Sequence, residues 1–409
     1  MNAVLAMPKQ SVKDSLTVRD KFAAVRKELG EALIERYEEI DLLLTSLIAG
    51  EHLLLVGPPG CGKSLLIDSL MRWTHGSKFS CLLNKYTMPE ELFGPYSLSE
   101  LKNDRFLRIT TNRLPEAKFV FLDEIFKASS SILNTLLKVL NERFFDKGDG
   151  VTLRVPLELC LAASNEWPEG DSKKELGALF DRFVLRKTVN PISSPAGRQK
   201  LLWANKPPEF STSLTSSELT AARLDSRGVF WSKEAKQALE SVLDELSRQG
   251  VKPSDRRIFK CVSVVQAYAW LNDGVEVLPE HLEVLQHTLW TDHAEEASKV
   301  RAVIMTIAAP ISMKVNGLIS EIEQILAGVN PKDLGATATA ASKLSEIQKS
   351  LKAMKENPKA LAVLAYVKDQ ITQLRLKSLD SICSFKAFHF HSRRGFSLRP
   401  FSLPTRSIQ

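Results

Sequence analysis

Eight consecutive residues, Gly57-Pro58-Pro59-Gly60-Cys61-Gly62-Lys63-Ser64, restrict what this chain can become more than any other feature in it. They fit the pattern G-x-x-x-x-G-K-[ST] in full. The apolar run His52-Leu53-Leu54-Leu55-Val56 leads into them, and the segment from Ser64 onward (SLLIDSLMRW) has a helical pattern. The octet therefore reads as a tight loop between a buried strand and a helix. Glycines let such a backbone curl until successive N–H groups face phosphate oxygens, and the following helix aims its positive dipole end at the same place. Lys63 is placed as a mobile cation for the β- and γ-phosphates of a nucleotide. The Ser64 hydroxyl is a small hard ligand for Mg²⁺. The expected nucleotide-binding residues are Gly57, Pro58, Pro59, Gly60, Cys61, Gly62, Lys63, Ser64 and Leu65.

About 60 residues on, a second apolar strand, Phe119-Val120-Phe121-Leu122, ends in Asp123-Glu124. Two carboxylates capping a buried strand behind such a loop have a division of labour. Asp123 is expected in the Mg²⁺ shell with Ser64, and Glu124 is expected to orient and polarise the attacking water. A third apolar run, Leu157–Ala163, and helical segments between the strands imply a parallel sheet with helices on both faces.

Beyond about Lys233 the pattern turns helical throughout. This predicts an α/β core over 1–204, a polar Pro/Ser/Thr-rich connector over 205–230 and an all-α region over 231–300. Near-heptad spacings (Leu318/Ile322/Ile325, Leu344/Ile347/Leu351/Met354, Leu361/Leu364/Val367/Ile371/Leu374) predict a helical hairpin or bundle over 301–380. Residues 381–409, which include Phe388-His389-Phe390-His391, read as a basic tail. That tail supplies five of the seven net positive charges, so the body is nearly balanced and carries no nucleic-acid footprint. No apolar run is long enough to span a bilayer, and the start lacks a leader pattern. Five scattered cysteines point to a reducing, cytoplasmic setting rather than a disulfide framework or zinc site.

With these motifs in place, the chain resembles the AAA+ ATPases. Asn165, in Ala162-Ala163-Ser164-Asn165-Glu166, matches the sensor-1 position that helps place the water. Ala178-Leu179-Phe180-Asp181-Arg182-Phe183 resembles the arginine-finger segment, whose Arg completes a neighbouring subunit's site. Arg182 is taken as the finger, with Arg186 as the rival. Pro253-Ser254-Asp255-Arg256-Arg257 resembles the sensor-2 element, where an Arg reaches the γ-phosphate. Arg256 is taken for that role over Arg257. Tyr37 is expected near the adenine or in the core. The stretches Glu90–Pro95, Leu114–Ala117, Asn141-Glu142-Arg143 and Ser254–Arg257 resemble the MoxR group and, within it, the regulatory ATPase variant A (RavA) branch. The resemblance implies an α/β P-loop core followed by an all-α lid, and ATP and Mg²⁺ as cofactors. It also implies a homo-oligomeric ring, usually a hexamer, that remodels a protein client, often with a von Willebrand factor A domain partner. An insert near 98–117 is expected, with Phe106–Thr110 as one strand of a hairpin. A metal-chelatase motor subunit shares these motifs and stays open. A DNA-acting motor also stays open, though the near-neutral body argues against it.

Overall fold

A computed structural model describes residues 16–168, 171–203, 206–329, 334–354, 360–361 and 363–374. The chain opens with α1 (Val18–Ala32) and α2 (Tyr37–Ala49), followed by β1 (Leu53–Val56), α3 (Lys63–Trp73) and β2 (Lys78–Leu82). The short helices α4 (Pro89–Phe93) and α5 (Leu98–Leu101) precede β3 (Phe119–Asp123) and α6 (Ser130–Glu142). Next come β4 (Phe144–Gly148), β5 (Val151–Arg154), β6 (Leu159–Ser164), α7 (Asp171–Phe180), β7 (Leu185–Thr188) and α8 (Pro195–Trp203). The helical region holds α9 (Ser216–Arg227), β8 (Phe230–Trp231), α10 (Lys233–Arg248), α11 (Asp255–Leu271), β9 (Glu276–Val277), a 3-10 stretch Pro279–His287 and α12 (Ala297–Ile307). Last are α13 (Pro310–Ala327) and α14 (Leu334–Lys352).

Five strands form a parallel sheet in the order β2-β3-β6-β1-β7. Its inner strands are apolar up to the last residues of β3 and β6, Asp123 and Ser164, because both faces are covered. Leu53, Leu55, Phe121, Leu161 and Ala163 pack with α1, α2 and the helical region. Leu54, Val56, Val120, Leu122 and Ala162 pack with α6 on the other face. After β1 the chain crosses to β2 at one edge, and after β6 it passes β1 to reach β7 at the other. Ligands of open α/β sheets bind at such a switch point, beyond the carboxyl ends of the strands.

The three strands expected from apolar runs are present, but two edge strands were not foreseen. β2 is mostly exposed, and β7 has the sequence Leu-Arg-Lys-Thr, whose charges hide a strand. The expected insert strand Phe106–Thr110 is absent: that segment makes a single bridge, Arg108 with Tyr96. The hairpin of this region is instead β4 with β5, turning through Asp149-Gly150. Gly148 is needed there, since a Cβ at its φ of +110° would sit 1.7 Å from the Phe106 carbonyl oxygen. The connector expected over 205–230 contains α9, because Thr215 and Glu218 form a capping box and Leu219 and Ala222 are buried. The basic tail lies outside the described residues.

Two compact units divide at Pro310. In the second, Val315, Ile322, Leu344, Ile347, Leu351, Val367 and Ile371 form a core of their own, while Leu361 is exposed. Among the described residues no single helix is long and apolar enough to cross a membrane. Leu122, fully buried in β3 beside Ala162, anchors the strand that ends in the acidic pair. Leu122→Ala is expected to lower the unfolding free energy by about 2–5 kcal/mol. Denaturant titration reads this directly, and a loss below about 1 kcal/mol would mean the strand is not under the packing described here.

Candidate active site

The loop after β1 is shaped by close backbone approach. The Gly57 N–H donates to the Ser164 carbonyl at 3.1 Å, and a Cβ on Gly57 would meet the Val189 carbonyl oxygen at 2.1 Å. Gly60 and Gly62 both have φ of +80°, with open space where side chains would stand. Gly62 caps α3, so the first N–H groups of that helix border the same space. An open, glycine-walled cradle at a helix N-terminus fits a phosphate chain. Leu65, in the first turn of α3, is exposed.

Lys63 is buried, and its Nζ donates to the carbonyls of Gly57 and Pro58 (3.0 Å for Pro58) and to Asn165 Oδ1 at 3.1 Å. Burial pushes its ammonium below the usual lysine value, while Asp123 and Glu124 work against the shift. Asp123, the last residue of β3, accepts the Glu124 N–H at 3.0 Å through Oδ1. Its Oδ2 lies 3.5 Å from the Ser64 hydroxyl. A carboxylate and a hydroxyl at this separation are the hard oxygen donors that Mg²⁺ takes in such sites. Glu124 is buried in a left-handed conformation (φ +54°), which costs a residue with a side chain about 1–3 kcal/mol. That turn brings its carboxylate to Asn165, whose Nδ2 donates to Oε1 and whose backbone N–H lies 3.4 Å from Oε2. Lys127 Nζ is 3.4 Å from the same Oε2.

Lys63, Ser64, Asp123, Glu124 and Asn165 thus converge on one place, at the carboxyl ends of β1, β3 and β6. Arg36, which no motif marked, closes the loop from behind. It is buried and donates to the carbonyls of Cys61 (3.1 Å) and Asn190 (2.8 Å). Tyr37 follows it at the same edge of the sheet. It is exposed rather than in the core, and it borders a cavity of about 500 Å³ with Arg26, Gly30, Lys200 and Asp273.

The arginines lie elsewhere. Leu185 pairs with Leu53, the first residue of β1, and donates its N–H to His52. Arg182, just before β7, is therefore at the amino edge of the sheet, whereas the phosphate loop is at the carboxyl edge; β1 rises about 10 Å between them. α11 runs the length of this difference. At its start Lys260 pairs with Glu51 at 2.5 Å, and just past its end Asn272 accepts from Arg26 at 3.1 Å. Arg256, at the beginning of α11, pairs with Asp181 at 3.4 Å. It does not approach the phosphate loop of its own chain, which corrects the simple sensor-2 expectation. Both rivals are buried. Arg186 is 0% exposed, bonds the carbonyls of Thr288 and Trp290 and lies 4.3 Å over the Trp290 ring. Burial, with Arg257 nearby, holds its guanidinium well below the usual value. Arg257 is likewise buried and donates to the Trp290 carbonyl at 2.7 Å and the Thr291 hydroxyl at 2.8 Å.

Comparison with known proteins identifies the family. Residues 20–226, just over half of the chain, match a family model described as the MoxR domain in the MoxR-vWA-beta-propeller ternary systems. Residues 234–304 match an AAA lid domain. An uncharacterized protein of Methanocaldococcus jannaschii is 34% identical over 88% of this chain and 91% of its own. The chaperone MoxR1 of Mycobacterium tuberculosis is 22% identical over 69% of this chain and 81% of its own. A crystal structure of a putative ATPase from Cytophaga hutchinsonii superposes with a TM-score of 0.56 at 20% identity, covering 71% of this chain and 94% of that one. With a sheet and cradle of this kind, a MoxR model matching residues 20–226 and a lid model matching 234–304, the chain belongs to the MoxR group of AAA+ ATPases.

Proposed function

We propose that this protein hydrolyses ATP to ADP and phosphate in a homo-oligomeric ring and uses the cycle to remodel a protein client. The observation that carries the reading is the hydrogen-bonded run Lys63–Asn165–Glu124, with Asp123 and Ser64 alongside. Lys63 is to exchange its loop carbonyls for β- and γ-phosphate oxygens. Ser64 and Asp123 would hold Mg²⁺, which when bound offsets charge developing on the phosphates. Asn165 fixes Glu124 so that its carboxylate can take a proton from water in line with the γ-phosphate. Tyr37 and the cavity beside it are assigned to the base.

Arg182 and Arg256 are assigned to the site of a neighbouring copy, because both sit at the opposite edge of the sheet from their own phosphate loop. This supports a ring, and a hexamer is the size we infer. The family description supports a von Willebrand factor A domain partner, and the likeness to the chaperone MoxR1 supports a chaperone-like role. The narrower RavA placement rests on the motif stretches around Asn141 and Ser254, and a cytoplasmic location on the scattered free cysteines.

Steady-state phosphate release tests the chemistry. Lys63→Ala is expected to abolish binding of a fluorescent ATP analogue. Glu124→Gln is expected to bind the analogue normally yet release no phosphate. A Glu124→Gln variant with wild-type turnover would remove the carboxylate from the mechanism. DNA is expected to leave turnover unchanged.

Arg182→Ala is expected to lower kcat by about 10³–10⁵ with nucleotide affinity preserved. Arg186→Ala is expected instead to lower the melting temperature, because it empties a stacked, fully buried site. Reversal of these two phenotypes would transfer the finger to Arg186.

A further inference from the structure

Four guanidiniums, those of Arg182, Arg186, Arg256 and Arg257, gather around one carboxylate. Asp181 accepts the Ser254 hydroxyl at 2.7 Å and lies 3.4 Å from both Arg256 NH1 and Arg257 Nε. The two inner arginines are committed to the Trp290 carbonyl. The two outer ones are not fully spent. Arg182 donates one bond, to the Ala178 carbonyl at 3.0 Å, and its Nε has no partner. Arg256 NH1 makes an ion pair but no hydrogen bond. Arg256 also depresses the Arg182 guanidinium, after burial, so the two charges are close enough to repel.

We propose that Asp181 is a positioning residue for catalysis in the adjacent subunit. It holds Arg182 and Arg256 as one paired clamp for the neighbour's triphosphate. The inference rests on the trans assignment of these arginines given above. Asp181 is covalently joined to Arg182 and bridges to Ser254, the N-cap of α11, so a single side chain ties the finger segment to the lid. Its negative charge offsets the repulsion between two guanidiniums that must converge on one anion. Loss of that charge frees Arg256, which is about one-third exposed, to turn to solvent. Among the described residues Asp181 makes no hydrogen bond or ion pair with its own phosphate site, so its effect is expected across the subunit boundary.

Asp181→Asn preserves the acceptor for Ser254 and removes the charge. Its kcat is expected to fall about 10- to 100-fold, the range for groups that orient a functional side chain from behind. KM and analogue binding should stay at wild-type values. Mixing is decisive. Asp181→Asn and Glu124→Gln subunits, each inactive or weak alone, should regain turnover when combined, since an intact Glu124 can then face an intact Asp181. Asp181→Glu should recover much of kcat. Wild-type kcat in Asp181→Asn would overturn the proposal, as would a mixture no more active than its parts. If Asp181→Asn does not fold, as judged by melting, Arg256→Ala carries the same test. It should complement Glu124→Gln, and adding Asp181→Glu to it should cause no further loss. A further loss would overturn the coupling. An Arg182→Ala mixture that also fails to complement, while wild type hydrolyses ATP, would refute the trans reading itself. Complementation by Arg182→Ala but not by Asp181→Asn would refute only the role given to Asp181.

Discussion

One amide stands between a buried ammonium and a buried carboxylate, and the geometry of the site depends on it. Lys63 and Glu124 are both 7% exposed. Each would lose several kcal/mol of solvation without partners. A direct ion pair would satisfy both, but it would consume the two charges that phosphate binding and water activation need. The Asn165 amide accepts from Lys63 at Oδ1 and donates to Glu124 at Nδ2. An amide does both with separate acceptor and donor atoms. It is in position because Val56 and Ser164 are partners in adjacent parallel strands, so the residue after Ser164 emerges beside the loop after Val56. The left-handed backbone at Glu124 completes the arrangement, with strain confined to one residue of the site.

The parts of this structure that were legible in the sequence are those fixed by local chemistry. The glycine pattern dictates the loop, and uninterrupted apolar runs dictate strands covered on both faces, so β1, β3 and β6 and the residues at their ends followed. β7 did not, because Arg186 and Lys187 break its apolar run. What makes Arg186 tolerable is a pair of carbonyls at Thr288 and Trp290 and an indole ring, all about a hundred residues away in sequence. No window along the chain contains that information. Arg36 is similar: it sits at no motif position, and its partners are the carbonyls of Cys61 and Asn190. The hairpin was misplaced for another reason. Phe106–Thr110 alternates well enough, but Asp149-Gly150 supplies the positive-φ residues a tight turn needs, and turn chemistry outweighed alternation.

The sensor-2 residue shows how far a motif can carry a role and where it stops. The sequence Ser254-Asp255-Arg256-Arg257 correctly begins a helix, with Ser254 as N-cap. The direction of that helix is a tertiary fact. α11 packs along α2 with its start at the amino edge of the sheet, held by Lys260 to Glu51 and by Arg257 to the Trp290 carbonyl. Its end reaches Arg26 beside the Tyr37 cavity. One helix therefore touches the border of the Tyr37 cavity with its last residues and presents its arginine at the far edge.

That polarity has a structural consequence for the whole chain. Within one copy, the groups suited to bind phosphate, metal and water lie at the carboxyl edge of the sheet. The half-buried arginines suited to offset transition-state charge lie at the amino edge. A rigid five-stranded sheet packed on both faces cannot bend to bring its two edges together. In the proposed ring, the two half-sites meet when the amino edge of one copy is laid against the carboxyl edge of another. A contact between unlike faces is heterologous, and repeating it generates a closed ring when the rotation closes. On the proposed function, the separation of charge across the sheet is itself a reason for assembly, independent of any area buried between copies.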